Sequence, residues 1–292
     1  MNPCRFLPLI GALALAACGQ EPQGGGSDAS PVLYEVTGKD GAVEGWLFGT
    51  IHSLPGGVQW RTEELDSVVD KADLLVVEIA ALDDNAAIGK VFADLAGSPE
   101  QPDIGMRVDS EHRPDLFALI ERGGYSPGDF AGIETWAVAL MLAQVDDDGS
   151  SRHGADRALL ADFKGSEIRE LEGAERQLGI FDQLPEQDQS DLLSGVIAET
   201  KKRDEDPDRL RRAWLSGDED ALVEASQTGI LADRELRQAL LVGRNRDWVA
   251  QLDAMLKQKP RPLVGVGAAH LVGPDGLAAL LEQRGYTVRR LQ

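Results

Sequence analysis

Three short apolar runs, each followed by a polar residue, constrain the fold of this 292-residue chain more than any other feature. Residues 47–51 precede His52, residues 74–77 precede Glu78, and residues 263–267 come shortly before His270. Short apolar runs bounded by glycine or polar residues are typical of strands that are buried on both faces. The sequence therefore predicts a sheet to which both ends of the chain contribute strands.

The first and last of these runs belong to two α/β blocks. Between the first two predicted strands, residues 62–72 carry apolar side chains at helical spacing, with Thr62 as a plausible N-cap. A strand, a helix and a strand in this order form the crossover that parallel strands require. An Asp-Gly pair at residues 40–41 predicts an opening hairpin, and at the other end a helix over residues 274–285 precedes a closing strand.

The middle of the chain has mainly helical periodicity. Helices are predicted near residues 112–124, 134–145 and 155–165, followed by a short strand at 166–172 and a helical region over about residues 174–258. The predicted fold class is α/β: a mixed, mostly parallel sheet built from the N-terminal and C-terminal α/β blocks, flanked by helices, with a helical middle region. We expect residues 32–292 to form a single domain.

Residues 1–17 differ from the rest of the chain and predict a signal peptide. Arg5 precedes an apolar run of the length found in secretory signal sequences. The run ends in Leu-Ala-Ala before Cys18, which resembles the lipobox of bacterial lipoproteins, whose cysteine is acylated and becomes the first residue. Residues 18–31 are rich in Gly, Ser and Pro and suit a flexible tether. The alternative is an ordinary signal peptide followed by an unmodified thiol.

The sequence also predicts where the protein is located and which partners are disfavoured. Gly19 follows Cys18 where an aspartate would retain a lipoprotein in the inner membrane, so the resemblance predicts an outer-membrane lipoprotein facing the periplasm of a Gram-negative cell. Cys4, the other cysteine, lies in the signal peptide, so no disulfide is expected in the mature monomer. The formal charge of -21 disfavours nucleic acid and anionic lipid as partners of the folded surface. The expected membrane contact is the lipid anchor at Cys18 alone.

His52, Glu78 and His270 all stand at the carboxyl ends of predicted strands. Ligands of open α/β sheets bind at that edge, so three separate segments would bring two imidazoles and a carboxylate together. This set suits a divalent metal ion with open positions for water and substrate. Gly49 and Gly267 each stand three residues before a histidine, which lets the backbone approach closely. The alternative is that these polar residues only end strands at the solvent.

The other two histidines and several missing motifs narrow the possibilities. His112 lies in a charged segment before a helix, where a solvated side chain is expected, and His153 lies on a loop that faces either the same crevice or the solvent. The sequence has no His-Glu-x-x-His helix, no Gly-x-Ser-x-Gly elbow and no P-loop. These absences disfavour a zincin, a serine hydrolase of that type and a nucleotide hydrolase.

Several longer motifs resemble those of the TraB/GumN family. They are GTIHSLP, the strand ending in Glu78, HGADRALLADFKGSEIRELEGAERQL, LVGRNRDWVAQL and VGAAHLVGPDGLAALLEQRGYTV. The resemblance covers about residues 32–292. That family is similar to the Tiki metalloproteases, and more distantly to erythromycin esterases and the ChaN-like haem-binding lipoproteins. It implies an α/β sheet flanked by helices, as the periodicity does.

The resemblance also implies a set of functional residues. His52, Glu78 and His270 would be catalytic and would hold the metal ion, and Arg244 would be catalytic through a developing oxyanion or a substrate carboxylate. The residues expected to bind substrate or to orient a metal ligand are Asp156, Asn245 and His153. For Arg244 the alternative is a salt bridge to the acidic helical region. Glu172 and Glu175 match the acidic segment of the family, with a helix cap as the alternative.

Together these features predict a metal-dependent hydrolase, peptidase-like, on a periplasm-facing lipoprotein. The expected cofactor is a divalent ion, Mn, Co or Zn, and the expected substrate is a peptide or another small molecule. Two alternatives stay open at this point: a lipoprotein that binds haem or a small ligand without catalysis, and an accessory protein of the cell envelope.

Overall fold

The structure is a computed structural model that describes residues 29–145 and 149–292. The predicted signal peptide, Cys18 and most of the predicted tether lie outside the described residues. Throughout the described part, both ends of the sequence contribute to one sheet, as the apolar runs predicted.

The described residues form a six-stranded sheet with the strand order β4-β3-β5-β2-β1-β6. The strands are β1 (Leu33–Thr37), β2 (Val43–Thr50), β3 (Leu74–Val77), β4 (Glu167–Glu170), β5 (Pro262–Gly267) and β6 (Thr287–Arg290). Strands β2, β5, β3 and β4 are parallel, whereas β1 is antiparallel to both of its neighbours, β2 and β6. The predicted mixed, mostly parallel sheet is therefore confirmed.

Local sequence signals explain the first block. The β1–β2 hairpin turns at the predicted Asp-Gly pair, where Gly41 has a positive φ of 79°, a backbone conformation that glycine adopts without steric cost. Helix α1 (Glu63–Lys71) begins as predicted, because the hydroxyl of Thr62 accepts a hydrogen bond from the amide of Leu65 at 3.1 Å.

Helices flank the sheet and fill the middle of the chain. After α1 they are α2 (Asn85–Ala96), α3 (Arg113–Arg122), α4 (Thr135–Leu142), α5 (Ala155–Asp162), α6 (Ala174–Asp182), α7 (Glu186–Glu205), α8 (Arg209–Ser216), α9 (Glu219–Ala225), α10 (Arg234–Arg237), α11 (Gly243–Leu256) and α12 (Leu277–Gln283). Short 3-10 turns occupy Ile104–Met106, Pro127–Phe130, Ser151–His153, Gly229–Ala232 and Ala268–His270, and a π-helix occupies Gln238–Val242. No helix in residues 29–145 or 149–292 combines the length and the apolar content that crossing a membrane requires.

Two apolar clusters form the core of the described chain. One surrounds the sheet, where Trp60 stacks on Phe48 and contacts Trp214. The other lies among helices α2, α3, α4, α6 and α7, around the fully buried Trp136. The sheet cluster contains the strands whose ends carry the predicted site residues. The packing of this cluster therefore positions those strand ends.

Helix α5 packs its first turn directly against the end of β2. The amide of Ala155 donates to the carbonyl of Ile51 at 2.9 Å, and a Cβ on Gly154 would overlap the carbonyl oxygen of His52. Glycine at position 154 thus lets α5 approach the segment that holds His52.

We predict that Gly154→Ala lowers the free energy of unfolding by about 1–3 kcal/mol, because the added methyl group overpacks against backbone atoms that cannot rotate away. Urea denaturation measures the change. Gly128→Ala is the matched control, since a Cβ at that exposed position meets no atom within 4 Å. Equal losses in both variants would contradict this account of Gly154.

Candidate active site

The ends of three parallel strands bring His52, Glu78 and His270 to one point beside Gly267. A Cβ built on Gly267 would lie 3.5 Å from Oε1 of Glu78, 3.7 Å from Nε2 of His52 and 3.7 Å from Cδ2 of His270. The register explains this, since Thr50 of β2 pairs with Gly267 of β5, and β3 pairs with β5 on the other side. The predicted convergence of the three residues is present in the structure.

His52 is held by a short chain of hydrogen bonds. Its Nδ1 lies 2.7 Å from Oδ2 of Asp156, and Oδ1 of the same carboxylate accepts a hydrogen bond from the hydroxyl of Thr50 at 2.5 Å. Thr50 is fully buried and Asp156 is 5% exposed. An acceptor at Nδ1 fixes the ring and directs Nε2 toward the centre of the site. In this structure Asp156 therefore orients the ring of His52.

The surroundings of His52 raise its pKa. Burial alone would lower the pKa of this imidazole, but the charge and hydrogen bond of Asp156 and the charge of Glu78 outweigh burial and raise it from 6.5 to about 9. In the metal-free protein, Nε2 of His52 consequently carries a proton at neutral pH.

His270 has the opposite protonation behaviour. Burial and the positive charge of Arg244 lower the pKa of His270 from 6.5 to about 3, so the ring is neutral at neutral pH. Its Nδ1 lies 2.6 Å from Oδ1 of Asn245, and its Nε2 lies 3.2 Å from Nη1 of Arg244. Because Arg244 can only donate, Nε2 of His270 accepts and Nδ1 carries the proton. Asn245 also donates to the carbonyl of His270 at 3.2 Å.

Arg244 connects Glu78, Glu172 and His270. Its Nη2 donates to Glu78 at 2.7 Å and to Glu172 at 2.9 Å, and its Nε donates to both oxygens of Glu172 at 3.1 and 3.2 Å. Its guanidinium lies 4.6 Å from the ring centroid of Trp248, whose indole also packs on His270. Burial would lower the pKa of Arg244, but the charges of Glu78 and Glu172 raise it. The carboxylates of Glu78 and Glu172, which pair with Arg244, precede the helical region at residues 174–258, so the salt bridge that is observed differs from the alternative of a bridge to that region.

Glu78 is a charged partner at this site. One oxygen binds Arg244, and the other accepts a hydrogen bond from the amide of Gly267 at 2.8 Å. Burial would raise the pKa of this carboxyl, but Arg244, His270 and His52 outweigh burial and lower it to about 2. The Gly-x-x-His step therefore supplies a backbone donor as well as a histidine.

A π-helix places Arg244 and Asn245 in the site. Residues Gln238–Val242 form the π segment between α10 and α11, and π segments inside helices are frequent at functional sites. The amide of Gly243 bonds the carbonyl of Gln238, and a Cβ on Gly243 would lie 2.8 Å from that oxygen. The glycine allows the π turn, after which two consecutive polar side chains, only 9% and 0% exposed, contact the strand ends.

Two residues of this site, Thr50 and Trp248, were not identified from the sequence. One residue that was expected beside the site, His153, makes its contacts elsewhere. Thr50 lies inside the apolar run at residues 47–51, and Trp248 lies in the motif LVGRNRDWVAQL without a role of its own, although the two residues contact Asp156 and Arg244. His153 is exposed, and its ring lies against Gly56 rather than against the ionic cluster. A hydroxyl inside an apolar run was the available signal for Thr50.

Glu175 and His112 lie outside the ionic cluster, and neither caps its helix through a side-chain hydrogen bond. Glu175 is an exposed first-turn residue of α6, and His112 is the N-cap residue of α3. Glu172 differs, because its side chain is 1% exposed and bonded to Arg244. The family's acidic segment thus contributes Glu172 to the site.

The donor chemistry fits a divalent metal ion. Nδ1 of both histidines has an acceptor, which leaves the two Nε2 atoms as ligand positions. With both imidazoles neutral, Asp156, Glu78 and Glu172 against Arg244 give a formal charge of -2, which a divalent ion would neutralise.

One contact sets a condition on metal binding. Arg244 occupies Nε2 of His270 and Oε2 of Glu78, and no three Cys, His, Asp or Glu residues in the described parts of the chain have the spacing of a formed metal site. A metal ion bound through Nε2 of His270 therefore requires Arg244 to give up that contact, whereas Glu78 still offers Oε1, which accepts from the amide of Gly267.

Access to the site is from the side of His52. The side chain of His52 is 19% exposed, whereas those of Glu78 and Arg244 are 8% and 9% exposed. A substrate would meet the side chain of His52 first, and most of the charged groups would act on it from a buried, low-dielectric position.

We predict that Asp156→Asn lowers the pKa of His52 from about 9 to below 6.5, because burial then outweighs the remaining raising effect of Glu78. The raised pKa stabilises the wild-type fold fully below about pH 6.5, and this stabilisation is lost as pH rises through 9. NMR titration of the metal-free protein measures the pKa. Asp94→Asn, which removes an exposed partner of Lys90, is the control. An unchanged midpoint in Asp156→Asn would refute the role given to Asp156.

The comparisons with known proteins agree with these motifs. The model of the TraB/PrgY/gumN family matches residues 32–290, which include every residue of the site. No curated protein and no solved structure matches the chain. The match spans most of the sequence and both Gly-x-x-His steps, so the chain belongs to the TraB/PrgY/gumN family.

Proposed function

We propose that this protein is a metal-dependent hydrolase that cleaves a peptide or another amide bond. The observation that supports the proposal is the convergence of His52, Glu78 and His270 on Gly267, with Arg244 bonded to two of them. Two imidazoles held through Nδ1, a carboxylate and a buried guanidinium supply the groups that polarise a carbonyl and stabilise the charge that develops on it.

The ligands of the divalent ion would be Nε2 of His52, Nε2 of His270 and Glu78. When bound, the ion would supply the positive charge that polarises the carbonyl and brings the pKa of a water molecule to roughly 7. Asp156 and Asn245 keep the two rings in the tautomer that leaves Nε2 free of a proton once the ion replaces it. Because His52 is protonated at neutral pH without the ion, binding would release about one proton.

Arg244 would stabilise the negative charge on the carbonyl oxygen and bind the product carboxylate. Its planar donor set matches a carboxylate, and Glu172 holds it beside the site through Nε and Nη2. Glu78, whose pKa is about 2, stays ionised and acts as a charge partner instead of a general base.

The geometry favours hydrolysis over the haem-binding alternative. An axial ligand of a haem would use Nε2 of His52 or of His270, and the charged side chains of Glu78, Glu172 and Arg244 lie beside the site, where a haem needs an apolar wall. A cavity of about 100 Å³ lies elsewhere, lined by residues such as Glu199, Arg203 and Leu210 of α7 and α8. It is small beside the several hundred Å³ typical of ligand pockets.

The test is cleavage of a complex peptide mixture, followed by mass spectrometry, after chelation and after adding Mn²⁺, Co²⁺ or Zn²⁺ in turn. We expect metal-dependent products that His52→Ala and His270→Ala abolish, and a loss of about 10²–10³-fold in Arg244→Gln, because a donor to the developing charge is removed. His112→Ala, a change outside the site, is the control. Equal cleavage by the wild-type protein and by a variant that carries both His52→Ala and His270→Ala would refute the proposal. Full activity after chelation would refute the requirement for a metal ion.

We also propose that the chain is an outer-membrane lipoprotein facing the periplasm, anchored through acylated Cys18. The support is the apolar run and the lipobox-like Leu-Ala-Ala-Cys sequence. We expect the wild-type protein to partition into the detergent phase and Cys18→Ser, expressed without the apolar residues 1–17, to stay in the aqueous phase, because each acyl chain buries many methylene groups. Equal partition of the two would refute the anchor.

A further inference from the structure

The chain enters the domain at the same edge of the sheet that carries the candidate site. Strand β1 is antiparallel to β2, with Leu33 opposite Phe48, so β1 begins where β2 ends. The carbonyl of Val32 accepts a hydrogen bond from the amide of Gly49 at 2.9 Å, three residues before His52. The entry point therefore lies one strand away from the strand that leads to His52.

Helix α8 ties the entry point to this edge. The amide of Ser30 donates to the carbonyl of Leu215 at 2.7 Å, and the indole of the adjacent Trp214 donates to the carbonyl of Gly49 at 2.8 Å. Gln292 bonds the carbonyl of Pro31 at 3.0 Å as well. These contacts hold residues 30–32 in a fixed place beside the carboxyl end of β2.

The number of residues limits the distance between Cys18 and this point. The eleven steps from residue 18 to residue 29 span at most roughly 40 Å. Strand β2, with eight residues, separates the two edges of the sheet by roughly 25 Å. An anchor at residue 18 therefore keeps the entry edge, on average, nearer the bilayer than the opposite edge.

We propose that the carboxyl edge of the sheet is the membrane-facing surface of this protein, and that the enzyme acts on amide bonds presented at the bilayer. The proposal rests on the proposed hydrolase and on the lipid anchor. A tether that leaves from the active-site edge gives bilayer-held substrates a high effective concentration at His52. Substrates free in the periplasm gain no such advantage.

Fluorescence energy transfer tests the orientation without any turnover. The mature chain has no cysteine other than acylated Cys18, so one introduced thiol is the sole labelling site. Ala81→Cys places a donor dye just beyond β3 at the active-site edge, and Ala42→Cys places it in the β1–β2 turn at the opposite edge. Both alanines are exposed, which makes the variants a matched pair. The acceptor is a rhodamine headgroup in phosphatidylcholine vesicles.

We expect higher transfer efficiency from residue 81 than from residue 42 in the acylated protein, and none from either in a Cys18→Ser chain expressed without residues 1–17. Equal or reversed efficiencies overturn the proposed orientation and leave the hydrolase untouched, because no catalysis is measured. A wild-type chain without acyl groups overturns the orientation together with the anchor. Loss of peptide cleavage in the separate assay, with the orientation confirmed, would overturn the hydrolase alone.

Discussion

The site depends on the contacts that the buried guanidinium of Arg244 makes. It contacts residues that follow three different strands: Glu78 after β3, Glu172 after β4 and His270 after β5. Its charge offsets part of the cost of burying two carboxylates. Because charges in such a position are expensive to leave unpaired, removing Arg244 would disturb all three strand ends together. One side chain therefore fixes the relative positions of groups that the sequence keeps far apart.

The same cation contributes to a difference in protonation between the two histidines. His270 lies beside Arg244 and stays neutral, whereas His52 lies beside Asp156 and holds a proton at neutral pH. Two imidazoles that both have acceptors at Nδ1 thus differ at Nε2 because of their neighbours. The difference follows from which strand end each occupies, since Asp156 enters from α5 and Arg244 from α11.

Strand positions and strand ends could be predicted from the sequence, because burial on both faces produces apolar runs and the residue after each run faces the edge. The contacts of Arg244 could not be predicted, since they depend on a π turn at residues 238–242 and on the end of a short, charged edge strand, β4. Neither feature has a strong periodic signature. Thr50 was hidden for the opposite reason, because a hydroxyl that bonds a buried carboxylate occupies a position otherwise suited to an apolar side chain.

Arg244 also determines which contact must break before a metal ion could bind. The guanidinium contacts the one lone pair of His270 Nε2, so an ion could bind that atom only after displacing it. Glu172 would hold the guanidinium during that exchange, because three of the contacts of Arg244 go to Glu172 and none of them uses a predicted metal ligand. The guanidinium would therefore remain beside the site, where a carbonyl oxygen would take the place of the acceptor that it lost.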